Sequence, residues 1–445
     1  MTSKLETHAK AMVKPKEELK RTIVDLNMDS NEKLKLINCL YRLGLKYMFN
    51  EEIDNQLDKL YKELKIEDYD EADLCTVSLY FQVFRQHGYR LPCDVFKKFK
   101  DFSSGKFKEY ITRDVKGLLS FYESTQLRIQ GETILDEAFA VTEARLKDTV
   151  DTTLEGNLAQ QVVLGHGVPK NKSLCKGETA RDVLMDFGRI CGASLLRSRN
   201  YNYQNYATGE CVLDDTFDAY ATIDELRLLT DAINRWEVSA LEILPEYIKP
   251  FYKSILNEYA AELEKQVDEE GRANVVNASK QAPELAYLRE AEWRHSKHVP
   301  SFQEYLENGM VTSTYNVLVK SALVGMGEVV TEEVLAWHES HPKILQASEL
   351  IGRIHNDVAS YKTFEVPQHV AVDELEKMIE NVWKDINDGC LKPTHVSLEM
   401  LSRIVNFTRV KYVVYKFNDG FTFSNKTTLQ DFITLLFKTS IPMQD

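Results

Sequence analysis

Residues 211–236 read CVLDDTFDAYATIDELRLLTDAINRW, from Cys211 to Trp236. The second half, TIDELRLLTDAINRW, is a clean amphipathic pattern at helical spacing. The acids Asp214-Asp215-Thr216-Phe217-Asp218 run straight into it. At about 100° per residue, Asp214 and Asp218 fall one turn apart on one face, where both carboxylates can reach the same hard cation. Mg²⁺ suits such a pair, because it takes one or two protein carboxylates and completes its octahedron with water and substrate phosphates. Three acids in five helical residues are equally the pattern of a plain solvated surface, so the run alone does not decide.

Outward from this stretch the helical pattern continues on both sides. Downstream lie YIKPFYKSILNEYAAELEKQV (Tyr247–Val267) and VDELEKMIENVWKDI (Val372–Ile386). Upstream, apolar residues recur at helical spacing from residue 16 to about 165, as in Leu34, Ile37, Leu40 and Tyr41, then Val77, Leu79 to Phe81 and Phe84. Short polar breaks at 101–105 and 130–132 punctuate that region, the second leading into ILDEAFAVTEARL. Residues 166–211 differ, mixing Gly, Asn, Ser and Lys around one short amphipathic stretch. No β alternation of useful length and no internal repeat occur. With 19 Gly and 11 Pro in 445 residues, turn-dense β architectures are disfavoured. The expectation is an all-α chain of two helical domains, 1–165 and 212–445, joined by an atypical linker at 166–211.

Composition narrows the function. The net charge of -14 and the isoelectric point near 5.4 offer no long-range field for nucleic acid or an anionic membrane. A polyanionic ligand would need bridging cations or a local basic pocket. Seven widely spread cysteines without a CxxC pair argue against a disulfide framework and a zinc site. The first residues lack the apolar core of a secretion signal and the composition of a transit peptide. No run approaches the ~18 apolar residues of a membrane span. The expected location is the cytoplasm.

A second cluster lies at Arg353-Ile354-His355-Asn356-Asp357-Val358-Ala359-Ser360 and runs on to Glu365. Asn356 and Ser360 are again oxygen ligands at i and i+4 on one helix face. Two such helices facing each other across a bundle could hold ions between them and bind a diphosphate.

With both clusters in view, the sequence resembles the plant terpene synthases, and within them the cytosolic sesquiterpene cyclases of the cadinene and germacrene type. The likeness includes Arg42-Leu43-Gly44, the run Ser78–Phe96, the run Phe99–Glu123 and GETILDEA (Gly131–Ala138) in the N-terminal half. In the C-terminal half it includes DDTFDAYATIDEL, INRW (Ile233–Trp236), LPEY (Leu244–Tyr247), GMGEVVTEE, VWKDIND and YKFNDGFT (Tyr415–Thr422). The resemblance implies a non-catalytic N-terminal helical domain and a class I catalytic bundle. It implies metal-triggered ionisation of farnesyl diphosphate, carbocation cyclisation and release of diphosphate, with Mg²⁺ or Mn²⁺ as cofactor and the chain acting as a monomer. Asp214, Asp215 and Asp218 match the aspartate-rich metal motif; Asn356, Ser360 and Glu365 match the second one. Arg353 matches a diphosphate-sensing arginine. Tyr415 and Phe421 match pocket aromatics, Asp419 matches the acid of the DGxT block, and Thr314 with Tyr315 occupies the helix break expected to contact the cation.

The chain also departs from the family pattern. An RxR pair should stand a whole helix before the aspartates, followed by an aromatic pocket helix. Arg197-Ser198-Arg199 has the letters but lies only 15 residues before Asp214, among neighbours that do not match. Glu365 is nine positions after Asn356 where the family has eight; nine positions put it ~180° away around an α-helix rather than ~80°. A π-bulge near Thr363 would restore the alignment. The basic segment that normally follows is replaced by Val366-Pro367-Gln368, and the N-terminal arginine pair with its tryptophan is missing. Three readings stand: an active sesquiterpene synthase, a catalytically defective relative acting as a helical binding or structural protein, and a truncated splice form. Elsewhere, Trp236, Trp293 and Trp383 suit the core, His295 and His298 suit the surface, and Cys211 suits a small buried site.

Overall fold

The computed structural model describes residues 2–43, 45–64, 71–152, 213–254, 284–313, 329–363 and 369–415, with positions 256, 315, 316, 319, 323 and 326. Among these residues the regular structure is helical; a single bridge between Lys100 and Phe107 is the one trace of strand pairing. The chain divides into two compact units, residues 1–182 with 387–394, and residues 183–386 with 395–445.

The first unit contains α1 (Thr2–Val24), α2 (Ser30–Arg42), α3 (Asn50–Glu63), α4 (Leu74–Gln86), α5 (Val115–Thr125) and α6 (Thr133–Thr152). Aspartates start several of them. Asp29 accepts from the Asn31 and Glu32 amides at the head of α2, Asp73 from Thr76 at α4, and Asp114 from Gly117 at α5, satisfying donors that a helix N-terminus leaves unpaired. The buried faces follow the apolar periodicity: Leu34, Ile37 and Leu40 on α2, and Val77, Phe81 and Phe84 on α4. Arg85, buried on α4, donates to the Leu91 carbonyl and pairs with Glu132, with its guanidinium 4.6 Å from the centre of the Phe81 ring. Residues 387–394 complete this unit: Asn387 donates to the Gln126 and Arg128 carbonyls at 2.8 Å.

In the second unit the first described residues, 213–215, are α-helical and run into a π-helical turn, Thr216–Tyr220. After it come α7 (Ile223–Arg235), α8 (Lys249–Ser254), α9 (Glu284–Ser296), α10 (Phe302–Thr312), α11 (Glu332–Glu339), α12 (Lys343–Thr363), α13 (His369–Gly389) and α14 (Leu398–Tyr415). Thr222 and Glu225 form a reciprocal capping box at the head of α7, and Ser301 and Glu304 do so for α10. α7 buries Leu226, Leu229, Ala232 and Ile233. Successive neighbours then pack in the order α7, α9, α10, α12 and α14. Trp383 is buried, Trp236 packs on the cluster formed by Leu213, Phe217 and the buried face of α7, Trp293 is half-buried rather than in the core, and His295 and His298 are exposed. Cys211 lies outside the described residues. No described helix is long and apolar enough to cross a membrane.

Candidate active site

The acidic turn differs locally from the expected α-helix. The Ala221 amide donates to the Thr216 carbonyl at 3.2 Å, an i to i+5 bond, so the turn that carries Asp218 is wider by one residue than an α turn. Phe217 is buried and anchors the turn, its ring 5.7 Å from that of Tyr287 on α9. Asp214 is half-buried, while Asp215 and Asp218 are exposed.

Helix α9 supplies the opposing face, and the sequence reading did not single out its residues. Tyr287, Glu290 and Arg294 recur at three and four positions, so they share one side of the helix. Tyr287 hydrogen-bonds the Asp214 carboxyl. Arg294 donates to the Phe217 carbonyl at 3.1 Å and to the Asp218 carbonyl, and reaches the Asp218 carboxylate at 3.4 Å. Glu290 accepts from the Thr312 hydroxyl at 2.8 Å and from the Asn308 side chain at 3.3 Å, both on α10. Burial first, and then the negative charges of Asp218 and Glu290, push the Asp214 carboxyl up to about 7. Glu290 is raised as well, chiefly by burial. The charge of Asp218 adds to this rise and that of Arg353 opposes it. The two clusters singled out in the sequence therefore both lie within electrostatic reach of one carboxylate.

On α12, Arg353 donates through Nε to Asp357 at 2.9 Å and through Nη2 to the Asn356 side chain at 2.6 Å. Tyr305 of α10 donates to the same Asp357 oxygen at 2.7 Å. Burial opposes the Arg353 charge, but Asp357 and Glu290 outweigh it, and the guanidinium is held firmly protonated. Gly309 makes this approach possible: a Cβ there would lie 2.6 Å from Arg353 Cδ. Asn356 is thus already an acceptor for Arg353, and Ser360 is half-buried one turn on. The helix remains α-helical to Thr363; Thr314, Glu365, Asp419, Phe421 and the Arg197–Arg199 pair lie outside the described residues.

Deeper along the face of α12, a further group escaped sequence reading. Lys411 of α14 is fully buried. Its ammonium bonds the Ser348 carbonyl and lies 3.2 Å from the Ser348 hydroxyl and 3.1 Å from the centre of the Tyr315 ring. Gly352 leaves room for both, since a Cβ there would be 2.3 Å from the ring and 2.8 Å from the nitrogen. Tyr415 lies close enough to Tyr315 to influence its titration.

Among the described residues, no three of His, Cys, Asp or Glu converge closely enough to hold a metal ion as they stand. The donor set nevertheless fits one. Asp214, Asp218 and Glu290 are all oxygen donors, as Mg²⁺ prefers, and their mutual repulsion at a half-buried position is what a bound dication would relieve.

Two family profiles match the chain: "Terpene synthase, N-terminal domain" over residues 1–164 and "Terpene synthase family, metal binding domain" over residues 197–372. The chain belongs to the terpene synthase family. Among curated terpene synthases, the germacrene A synthase short form of Cichorium intybus is 50% identical, covering 99% of this chain and 93% of its own length. Germacrene A synthase 1 of Helianthus annuus is 48% identical, covering 99% and 92%. The first comparison spans 521 residues, whereas this chain has 445, so at least 76 positions have no counterpart here. Among solved structures, isoprene synthase from grey poplar superposes with a TM-score of 0.84 at 22% identity, covering 100% of this chain and 97% of that one. A limonene synthase structure superposes with a TM-score of 0.82 at 20% identity, covering 99% and 95%. These likenesses establish the two-domain helical terpene synthase fold. A second isoprene synthase structure, TM-score 0.81 at 22% identity with 96% of each chain covered, holds three Mg²⁺ ions and dimethylallyl-S-thiolodiphosphate.

Proposed function

We propose that this terpene synthase ionises farnesyl diphosphate at a divalent-metal site built on Asp214, Asp218 and Glu290, and cyclises the resulting cation. The observation that carries the reading is that Glu290, on the face of α9 whose Arg294 holds the Asp218 turn, feels the charges of both Asp218 and Arg353. Identity near one half to germacrene A synthases supports a sesquiterpene synthase, and the isoprene synthase complex with Mg²⁺ supports the metal. Asp214 and Asp218 would hold the ion with Asp215 beside them; Asn356 and Ser360 would supply the second set, which Glu365 would join through a turn of the chain after Thr363, where the regular α-helix ends. When bound, Mg²⁺ acts as a Lewis acid on the departing diphosphate oxygens.

The chain's own residues do the rest. Arg353, kept charged by Asp357, offers a fork to the diphosphate, and binding it there would free Asn356 from its present bond to the guanidinium. Tyr315 and Tyr415, with Phe421, would present ring faces to positive charge at roughly 0.5–2 kcal/mol each. Thr314 would act at the same break in the helix, and Asp419 would steady the C-terminal rim.

Incubation of purified protein with farnesyl diphosphate and Mg²⁺ tests the reading, following diphosphate release and hydrocarbon products. Turnover is expected, with a loss of at least ~100-fold in Asp214→Ala and Asp218→Ala. A folded, monodisperse preparation that releases no diphosphate would overturn it. The absence of at least 76 positions relative to that synthase supports a second reading, a catalytically silent relative, which that negative result would favour.

A further inference from the structure

Tyr287 of α9 packs on the side chain of the acidic turn, whereas Arg294 of the same helix reaches the backbone of the turn. In an unbroken α-helix the Phe217 carbonyl would accept from the Ala221 amide, and the Asp218 carbonyl from the Thr222 amide. Neither bond forms: the Ala221 amide goes to Thr216, and the Thr222 amide goes to the Glu225 carboxylate at 2.9 Å. Both orphaned carbonyls are taken by Arg294, which spends its remaining reach on the Asp218 carboxylate. A cation at the C-terminal end of a helical turn also meets the negative pole of the backbone dipoles.

We propose that Arg294 is a positioning residue that holds the widened Thr216–Tyr220 turn in the shape that presents Asp218 to a divalent cation. The inference rests on the metal-site reading above. Without Arg294, the cheapest way to satisfy the Phe217 carbonyl is to let the Ala221 amide return to it, which removes the extra residue from the turn and rotates Asp218 about the helix axis relative to Asp214. The contact with the carboxylate itself is long and half-exposed, so Arg294 acts chiefly on the backbone and competes little with the ion. Charge alone cannot fill the role: the two carbonyls are held by two separate nitrogens, a fork that Arg supplies and that Lys or Gln, each with a single donor nitrogen, supplies poorly.

Binding of Mn²⁺ in the presence of inorganic diphosphate, read from the electron paramagnetic resonance signal of the free ion, tests this independently of turnover. Arg294→Ala should weaken Mn²⁺ binding by about ten- to a hundredfold, the usual cost of losing a partner that orients a metal ligand. Arg294→Gln, shorter and with a single donor nitrogen, should weaken binding likewise, and Arg294→Lys, which keeps the charge, should recover only part of the affinity. Arg227→Ala removes a tie between α7 and α9 that bridges Glu292 and Asp224 without touching the turn. It should leave Mn²⁺ affinity unchanged, which separates positioning from general support of the helix pair. Melting temperatures of all four variants identify any that fail to fold, and Arg294→Gln remains the deciding variant if Arg294→Ala does. Equal or tighter binding by a folded Arg294→Ala, or by Arg294→Gln if Arg294→Ala fails to fold, overturns the positioning role while leaving the metal site intact. Failure of the unaltered chain to bind Mn²⁺ overturns the metal site and this role together.

Discussion

A fully buried lysine must replace its hydration with fixed partners, and among the described residues Lys411 has two oxygens of Ser348 and the face of Tyr315. Burial consequently pushes its ammonium well below the ordinary lysine range, and Glu349 opposes this only in part. Between that lowered value and about 10.5 the unfolded chain holds a proton that the folded chain does not, so stability rises with pH across the window. Lys411→Met keeps the volume and removes the ionisable group. It should stabilise the protein by about 1–4 kcal/mol near pH 7. Chemical denaturation at pH 7 and at pH 9 should show the gap between variant and parent narrowing as the pH rises; a gap that widens would mean that Lys411 is held charged. Asp214 is the mirror case, an acid raised by burial and by like charges. A metal ion would answer its need, and none would answer that of Lys411.

At the level of single helices the chain uses short polar caps, and one of them depends on the absence of a side chain. A Cβ on Gly117 would lie 2.3 Å from the Asp114 carboxylate oxygen, within the cap that accepts the Gly117 amide at 3.0 Å. Gly117→Ala should therefore lose a cap of ~1 kcal/mol and gain a similar helix preference of ~1 kcal/mol, ending near zero. In an Asp114→Ala background the same change should be stabilising by up to ~1 kcal/mol, because only the preference is left. Denaturation midpoints of the four proteins would reveal this coupling, and equal effects in both backgrounds would show that the cap is not formed. Such helices were legible in sequence because periodicity and caps are local. The π-helical turn was not: Asp214 to Tyr220 look like ordinary helix, and the shape is decided by Arg294, 76 residues beyond Asp218.

Across the whole molecule, the acidic motif, Arg353 and the aromatic candidates were legible as letters, since residue type and local spacing alone mark them out. Tyr287, Glu290 and Lys411 were hidden for a physical reason. Their functional content is what opposes them from another helix, and on their own strands of sequence they resemble surface or core positions. The same limit applies to charge. The total of -14 describes the surface that a substrate approaches, while Arg353 and Arg294 describe the few square ångströms where an anion would settle. A diphosphate arriving from solution meets the first before the second, so the long-range field opposes its approach. Screening should relieve that opposition as the Debye length shrinks from roughly 20–30 Å to about 8 Å. With Mg²⁺ saturating, raising NaCl from low concentration to physiological strength should increase kcat/KM for farnesyl diphosphate, leaving kcat unaltered. A steep fall in kcat/KM instead would show that a local basic funnel governs the approach, and would place more cationic side chains around the site than Arg353 and Arg294 supply.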